Sequence, residues 1–213
     1  EGSVLNDLPT GLTPKKAKGL GSFISANPEF NEVEFKEKVR AAFMQIQEAW
    51  MAQDLSGVRK FLSDGVYQRF NTQFKMMKLM GQKNTLTNII INNIYIDAAE
   101  SDGAFDILHV GIYASMRDKF VCESDSSMNS ESSDEFVEYW SFLRKKGVSG
   151  KDIYHTDNCP ACGAPQKAMK EISKCEYCST LLNSGEHDWV LSEITQSDDY
   201  AVSCQKAEKA RTI

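Results

Sequence analysis

Between Glu32 and about Gln53 the apolar residues Phe35, Val39, Ala42, Phe43, Ile46 and Trp50 recur at spacings of three and four. That period puts them on one face of a helix. Asp54 and Ser56 supply capping chemistry for a short helix, and Asp64 for a further one carrying Val66, Phe70, Phe74, Met77 and Met80 as far as Gly81. Aromatic and Met stripes at this spacing are read as core packing. After Thr85 the pattern changes to strands. Leu86 to Ile96 is rich in isoleucine, and Phe105 to Met116 puts Leu108, Val110, Ile112, Ala114 and Met116 on one face. Ser101-Asp102-Gly103 between them reads as a hairpin turn. Phe136 to Arg144, with Phe136, Trp140 and Phe142 on one face, and Trp189 to Ile194 complete the strands. Helices followed by an antiparallel meander predict an α+β domain, with the helices on one sheet face.

Two stretches lack a period. Residues 1–31 hold turn formers (Pro9, Gly11, Pro14, Gly19, Gly21) and read as an arm or linker. Glu123 to Glu135 holds five acids, six serines and no basic residue, and reads as a solvated flexible loop. It lacks the spacing and glycine of an EF-hand.

The most specific chemistry is Cys159, Cys162, Cys175 and Cys178, spaced C-x₂-C, twelve residues, C-x₂-C. Each pair reads as a knuckle, with Gly163 able to take a positive φ after the first. Four thiolates complete a tetrahedron and leave no open position, so one structural Zn²⁺ is expected. Two disulfides and a rubredoxin-type iron site are the competing readings; no second redox motif accompanies the iron reading. Residues 155–187 have few large apolar groups, so metal binding there would double as folding free energy. Cys122 and Cys204 have no partner motif and read as inert thiols. This cysteine usage favours a reducing compartment.

With 213 residues and 41% hydrophobic content, the chain can bury one core plus a small accessory module. A net charge of −6 argues against a nucleic-acid surface. No run approaches the roughly 18 apolar residues of a membrane span, and no signal peptide opens the chain, which reads as soluble. It begins at Glu1 rather than Met, which leaves room for an upstream signal or membrane anchor in the full-length product.

Three motifs in order carry a resemblance. They are Phe35-x₃-Val39-x₃-Phe43-x₂-Ile46-Gln47-x-Ala49-Trp50 with Asp54-Leu55, then Trp140-x-Phe142-x-Arg144, then Trp189-x-Leu191-x₂-Ile194-x-Gln196. Over residues 33–196 the chain resembles the Tim-forty-four-like domain family, the C-terminal domain of the mitochondrial import-motor membrane anchor and its bacterial relatives. The resemblance implies a nuclear-transport-factor-two-like cone, an α+β fold whose helices and curved antiparallel sheet enclose an apolar pocket. In the simplest members the second and third motifs are joined directly, so the cysteines mark a zinc ribbon inserted at a hairpin tip. The expected division is an arm (1–31), the α+β domain (32–147 and 187–197), the ribbon (148–186) and a C-terminal tail (198–213).

The family also implies a non-enzymatic, membrane-associated adaptor or scaffold in a translocation or envelope assembly. It would bind a protein partner, or an apolar segment, acyl chain or anionic lipid, through the pocket and a ribbon knob. The expected location is cytoplasmic or membrane-peripheral on a reducing face. The basic cluster Lys15, Lys16 and Lys18 is small, which puts protein ahead of lipid. The same fold class hosts isomerases and dehydratases, so the alternative is a small-molecule-binding protein or an enzyme of that type using the cone pocket. In it His109 and Tyr113, on one strand face, and Asp97 on the neighbouring strand would supply acid/base chemistry, while His155 and His187 flank the ribbon.

Overall fold

The computed structural model describes residues 17–166, 173–197 and 199. In chain order these form α1 (Leu20–Ala26), α2 (Glu32–Ala52), a 3₁₀ turn (Arg59–Phe61), α3 (Asp64–Leu79), β1 (Gln82–Asp102), β2 (Phe105–Cys122), β3 (Ser130–Lys145) and β4 (Val190–Gln196). The strands make one antiparallel sheet in the order β1-β2-β3-β4.

Helix α2 starts where the Asn31 side chain accepts from the N–H groups of Val33 and Glu34, satisfying two otherwise orphaned donors. It ends at Gln53, which takes a left-handed φ of 51°. Its buried face, Phe35, Val39, Ala42, Phe43, Ile46 and Ala49, follows the sequence period and packs into the sheet. Helix α3 is capped one residue earlier than expected: the Ser63 hydroxyl, not Asp64, accepts from Val66 N–H at 3.3 Å. Asp64 instead turns to Arg59, a nearly buried cation that draws the carboxylate away from the helix end.

The sheet curls because β1 carries irregularities against β2 at Thr87/Ile90, Ile91/Asn93 and Ile96/Ala98. Each extra residue bends its strand and increases the local twist. Even-numbered positions of β2 and β3 face the helices: Leu108, Val110, Ile112, Ala114 and Phe142 are fully buried there and Trp140 nearly so. The strand-alternation period thus assigns the inner face of the cone.

Two stretches differ from expectation. The second half of the acid- and serine-rich run is strand: β3 begins at Ser130 and pairs through Phe120↔Ser130, Lys119↔Glu131 and Asp118↔Ser132. The opposing strand brings cations to those acids, as in the Arg117–Glu131 pair at 3.1 Å, and the ladder satisfies the backbone. A local composition argument sees neither. Within the expected arm, Lys18 bridges to β1 (Ala99 N–H to Lys18 C=O, 2.8 Å), α1 follows, and Phe23 is buried. Phe23 and Phe30 pack on each other and on Trp189. Two isolated aromatics cannot produce a period, yet with the Lys18 bridge they dock the segment. Residues 1–16 and 200–213, with Lys15, Lys16 and Cys204, lie outside the described residues.

The chain between β3 and β4 is held down at its base. Ile153 and Tyr154 belong to the main core, with Tyr154 stacked on Phe61 at 4.7 Å and its hydroxyl donating to Trp189 C=O. Lys60 donates to Thr156 C=O and the Asn183 side chain donates to Leu62 C=O. The segment expected to stand out as a knob therefore begins as part of the core.

Candidate metal centre and cleft

Each cysteine pair sits in the same turn. Cys159 N–H donates to Ala164 C=O and Gly163 N–H to Cys159 C=O; Cys175 N–H donates to Thr180 C=O and Ser179 N–H to Cys175 C=O. Gly163 takes φ 76°, as its sequence position suggests, and Ser179 takes the equivalent left-handed place at φ 64°. Short two-residue bridges, Asn158↔Pro165 and Lys174↔Leu181, close the two knuckles.

The turns bring the four sulfurs within 4.8 Å of one another. Cys159 and Cys178 lie 3.8 Å apart, as do Cys162 and Cys175. A tetrahedral ion with metal–sulfur bonds of about 2.3 Å has sulfur–sulfur edges of about 3.8 Å. A disulfide needs about 2.05 Å, so the arrangement has the dimensions of a metal cage and not of two cross-links. Cys159 and Cys175 are buried beside Leu182, whereas Cys162 and Cys178 are exposed. The Gln166 amide donates to the Cys175 sulfur at 3.4 Å, an outer-shell contact of the kind that supports a thiolate ligand.

Without a cation these thiols divide. The backbone N–H of Cys178, against the cost of burial, helps hold Cys175 down at about 6. The Thr180 N–H favours the Cys178 thiolate, but burial and the neighbouring thiols of Cys162, Cys175 and Cys159 push it up to about 12. Four crowded sulfurs resist sharing the same charge, and a divalent ion would remove that conflict. The histidines flanking the cluster are otherwise engaged: His187 contacts Thr180 and His155 contacts Asp152. Cys122 is buried near Met80 C=O and Ser124, far along the chain from this site.

A second feature lies inside the cone. Helices α2 and α3 and the inner sheet face enclose an open cleft of about 810 Å³. Trp50, Phe70, Phe136, Trp140, Met116 and Ile194 supply its apolar floor. Trp50 meets Phe70 and Phe74 edge-on at 5.9 and 5.4 Å, so part of that floor is a rigid aromatic cluster. Toward the mouth the same inner-face register delivers Asp118, Ser132 and Asp134, joined by Glu138, Glu193 and Asp199. Reading the even-numbered alternation of β3 backwards from Phe136 into the acidic run would have found Asp134 and Ser132; treating that run as a loop hid them.

The residues proposed for acid/base chemistry fall elsewhere. His109 and Tyr113 sit at odd positions of β2, on the face turned away from the helices. There His109 meets the Ser141 hydroxyl at 2.8 Å and the Glu100 carboxylate at 3.9 Å, and Tyr113 donates to Glu135 at 2.5 Å. Asp97 adjoins a β1 irregularity and its carbonyl accepts from Lys18 N–H. None of the three lines the cleft.

The Tim44-like domain family matches residues 16–155, which includes the three helices and β1 to β3. The chain belongs to the Tim44-like domain family. The match to the Tim44-like domain stops just before Cys159, within the segment between β3 and β4. Among solved structures, this Tim44-like chain is similar to the intermembrane space region of the chloroplast protein ARC6. The identity is 9% and the TM-score 0.42, over 79% of this chain and 98% of that one. No curated protein matches it. Among the described residues no helix is long and apolar enough to cross a membrane.

Proposed function

We propose that this Tim44-like chain is a non-enzymatic adaptor of a membrane-associated assembly, which captures a segment of a protein partner in the cleft between its helices and sheet. The observation that carries this reading is the open cleft of about 810 Å³ with a preformed aromatic floor. A concave aromatic floor of this kind is suited to an apolar side-chain stripe. Family membership supports the membrane-associated, scaffolding context. The position of His109, Tyr113 and Asp97 outside the cleft supports a binding role over acid/base catalysis there.

The four cysteines, in this reading, hold one structural zinc that ties the knuckle at 159–166 to the knuckle at 173–182. Closed four-thiolate coordination gives the ion no catalytic position. The zinc-clamped lobe is the second contact surface of the adaptor.

The test is site-specific photo-crosslinking in cells from Gln73, which lines the cleft, against Arg117 on the outer sheet face. A discrete protein adduct from Gln73 and not from Arg117 is the expected result. Adducts with lipid alone would replace the partner with an acyl chain. Equal labelling from both positions would remove the cleft from the mechanism.

A further inference from the structure

The cleft joins its apolar floor to a rim of one sign. Asp118, Asp134, Glu138, Glu193 and Asp199 line it, against a single cation, Arg69, among the described lining residues. Among the described residues the rim's polar contacts are with neutral groups. The Asn84 amide donates to both Asp118 oxygens at 2.8 and 2.9 Å; Trp140 Nε1 and the Gln196 amide donate to Glu138 at 2.9 and 3.1 Å. These donors orient the carboxylates without neutralising them. None of the five forms an ion pair among the described residues, whereas Glu131, Glu186 and Asp188 elsewhere each face a Lys or Arg. Uncompensated like charges around a low-dielectric floor focus a negative potential there.

We infer that the cleft takes a cationic amphipathic segment of a protein partner, docked as a helix with its apolar stripe on the aromatic floor and its Lys or Arg side chains among the rim carboxylates. This rests on the proposed adaptor function and adds the chemistry of the partner. An amphipathic helix presents an apolar stripe flanked by polar residues, the complement of a floor bounded by acids. An anionic headgroup at the same mouth would meet five carboxylates, so the rim opposes an acidic lipid. A small cation alone would leave Trp50, Phe70 and Phe136 facing water. Charge complementarity of this kind speeds encounter and rejects segments of the wrong sign.

The experiment is fluorescence anisotropy with the purified chain and three labelled helical peptides. One has a Leu stripe and a Lys face, the second carries Glu in place of each Lys, and the third scrambles the first so that no stripe remains. The first peptide is expected to bind, with the other two much weaker, and raising salt from about 0.05 M to about 0.5 M should release it. Asp134→Asn and Glu193→Gln should each weaken binding about two- to fivefold at low salt, and Arg69→Gln should tighten it by a similar factor. A gain in Arg69→Gln cannot come from misfolding, and thermal melts of all three variants check the losses. Equal binding of the Lys and Glu peptides overturns the charge assignment and leaves the groove as a segment receptor. No binding by any peptide, with a protein still captured from Gln73, overturns the inference alone. No binding together with no capture removes the adaptor reading as well.

Discussion

Lys38 on α2 reaches both carboxylate oxygens of Asp188, at 2.8 and 2.6 Å, where the chain returns from the cysteine-bearing segment into β4. Asp188 is fully buried and also accepts from the N–H groups of Trp189 and Ile153. One carboxylate thus joins the central helix, the outgoing stretch of the segment at Ile153 and its return at Trp189. Burial raises the Asp188 pKa even against the pull of Lys38.

Removing the cation should therefore be severe. Lys38→Met leaves a buried, uncompensated carboxylate and is expected to cost about 3–5 kcal/mol, read as a lowered denaturation midpoint. Because the folded state holds the Asp188 proton more readily than the unfolded chain, this group's contribution to stability grows as pH falls through its raised folded value. The Lys38→Met variant should accordingly recover part of its loss in mild acid. A loss independent of pH would mean that the methylene stem, not the charge, carries the effect.

Asp64 should behave with the opposite sign. Its hydrogen bond from Arg59, despite some burial, lowers its pKa. The stability it contributes is present above its unfolded value of 3.8 and lost as pH falls through the lower folded one. As Asp64 is largely exposed, Asp64→Asn is expected to cost no more than about 1 kcal/mol at neutral pH. That difference should vanish at strongly acidic pH, and urea titrations across the acid range would measure it.

Metal removal tests the cysteine cluster. Elemental mass spectrometry is expected to find one zinc per chain, and a strong chelator or Cys159→Ser should abolish hydrogen-exchange protection in the two knuckles, at Cys159 and Gly163 and at Cys175 and Ser179. Zinc bound in small four-ligand sites contributes on the order of 10–16 kcal/mol, more than that lobe can gain from Leu182 and two buried thiols. Protection in β2 and β3 should persist, because their core is separate. Iron in place of zinc, or full protection after chelation, would contradict the assignment.

Gly111 allows a contact that no side chain would. Tyr95 from β1 crosses over Gly111 on β2 and meets the Tyr139 hydroxyl on β3 at 3.0 Å. A Cβ at position 111 would overlap the Tyr95 ring. Gly111→Ala should cost about 1–3 kcal/mol as an overpacked site. In a Tyr95→Ala background the same substitution should cost much less, and a double-mutant thermal-denaturation cycle measures the coupling.

Local periods were sufficient where one face is buried by one partner. The stripe from Phe35 to Ile46, the alternation from Leu108 to Ala114 and the paired knuckles at Cys159 and Cys175 could each be read from spacing, because helix, strand and tight-turn geometry each impose a short repeat. The run from Glu123 to Glu135 failed as a loop because its strand half is stabilised by β2, which supplies Arg117 and Lys119 from across the ladder. Phe23 and Phe30 failed as linker residues because their partner, Trp189, lies far along the chain.

The sequence by itself determined the α+β class, the family and the four sulfurs that can meet. Only the tertiary structure decided that His109 faces outward and that Asp118, Asp134 and Glu193 share a mouth over Trp50 and Phe136. Strand register selects the face each side chain occupies, and sheet curvature brings different strands around one space. Both depend on pairing between distant segments, which a local pattern does not contain.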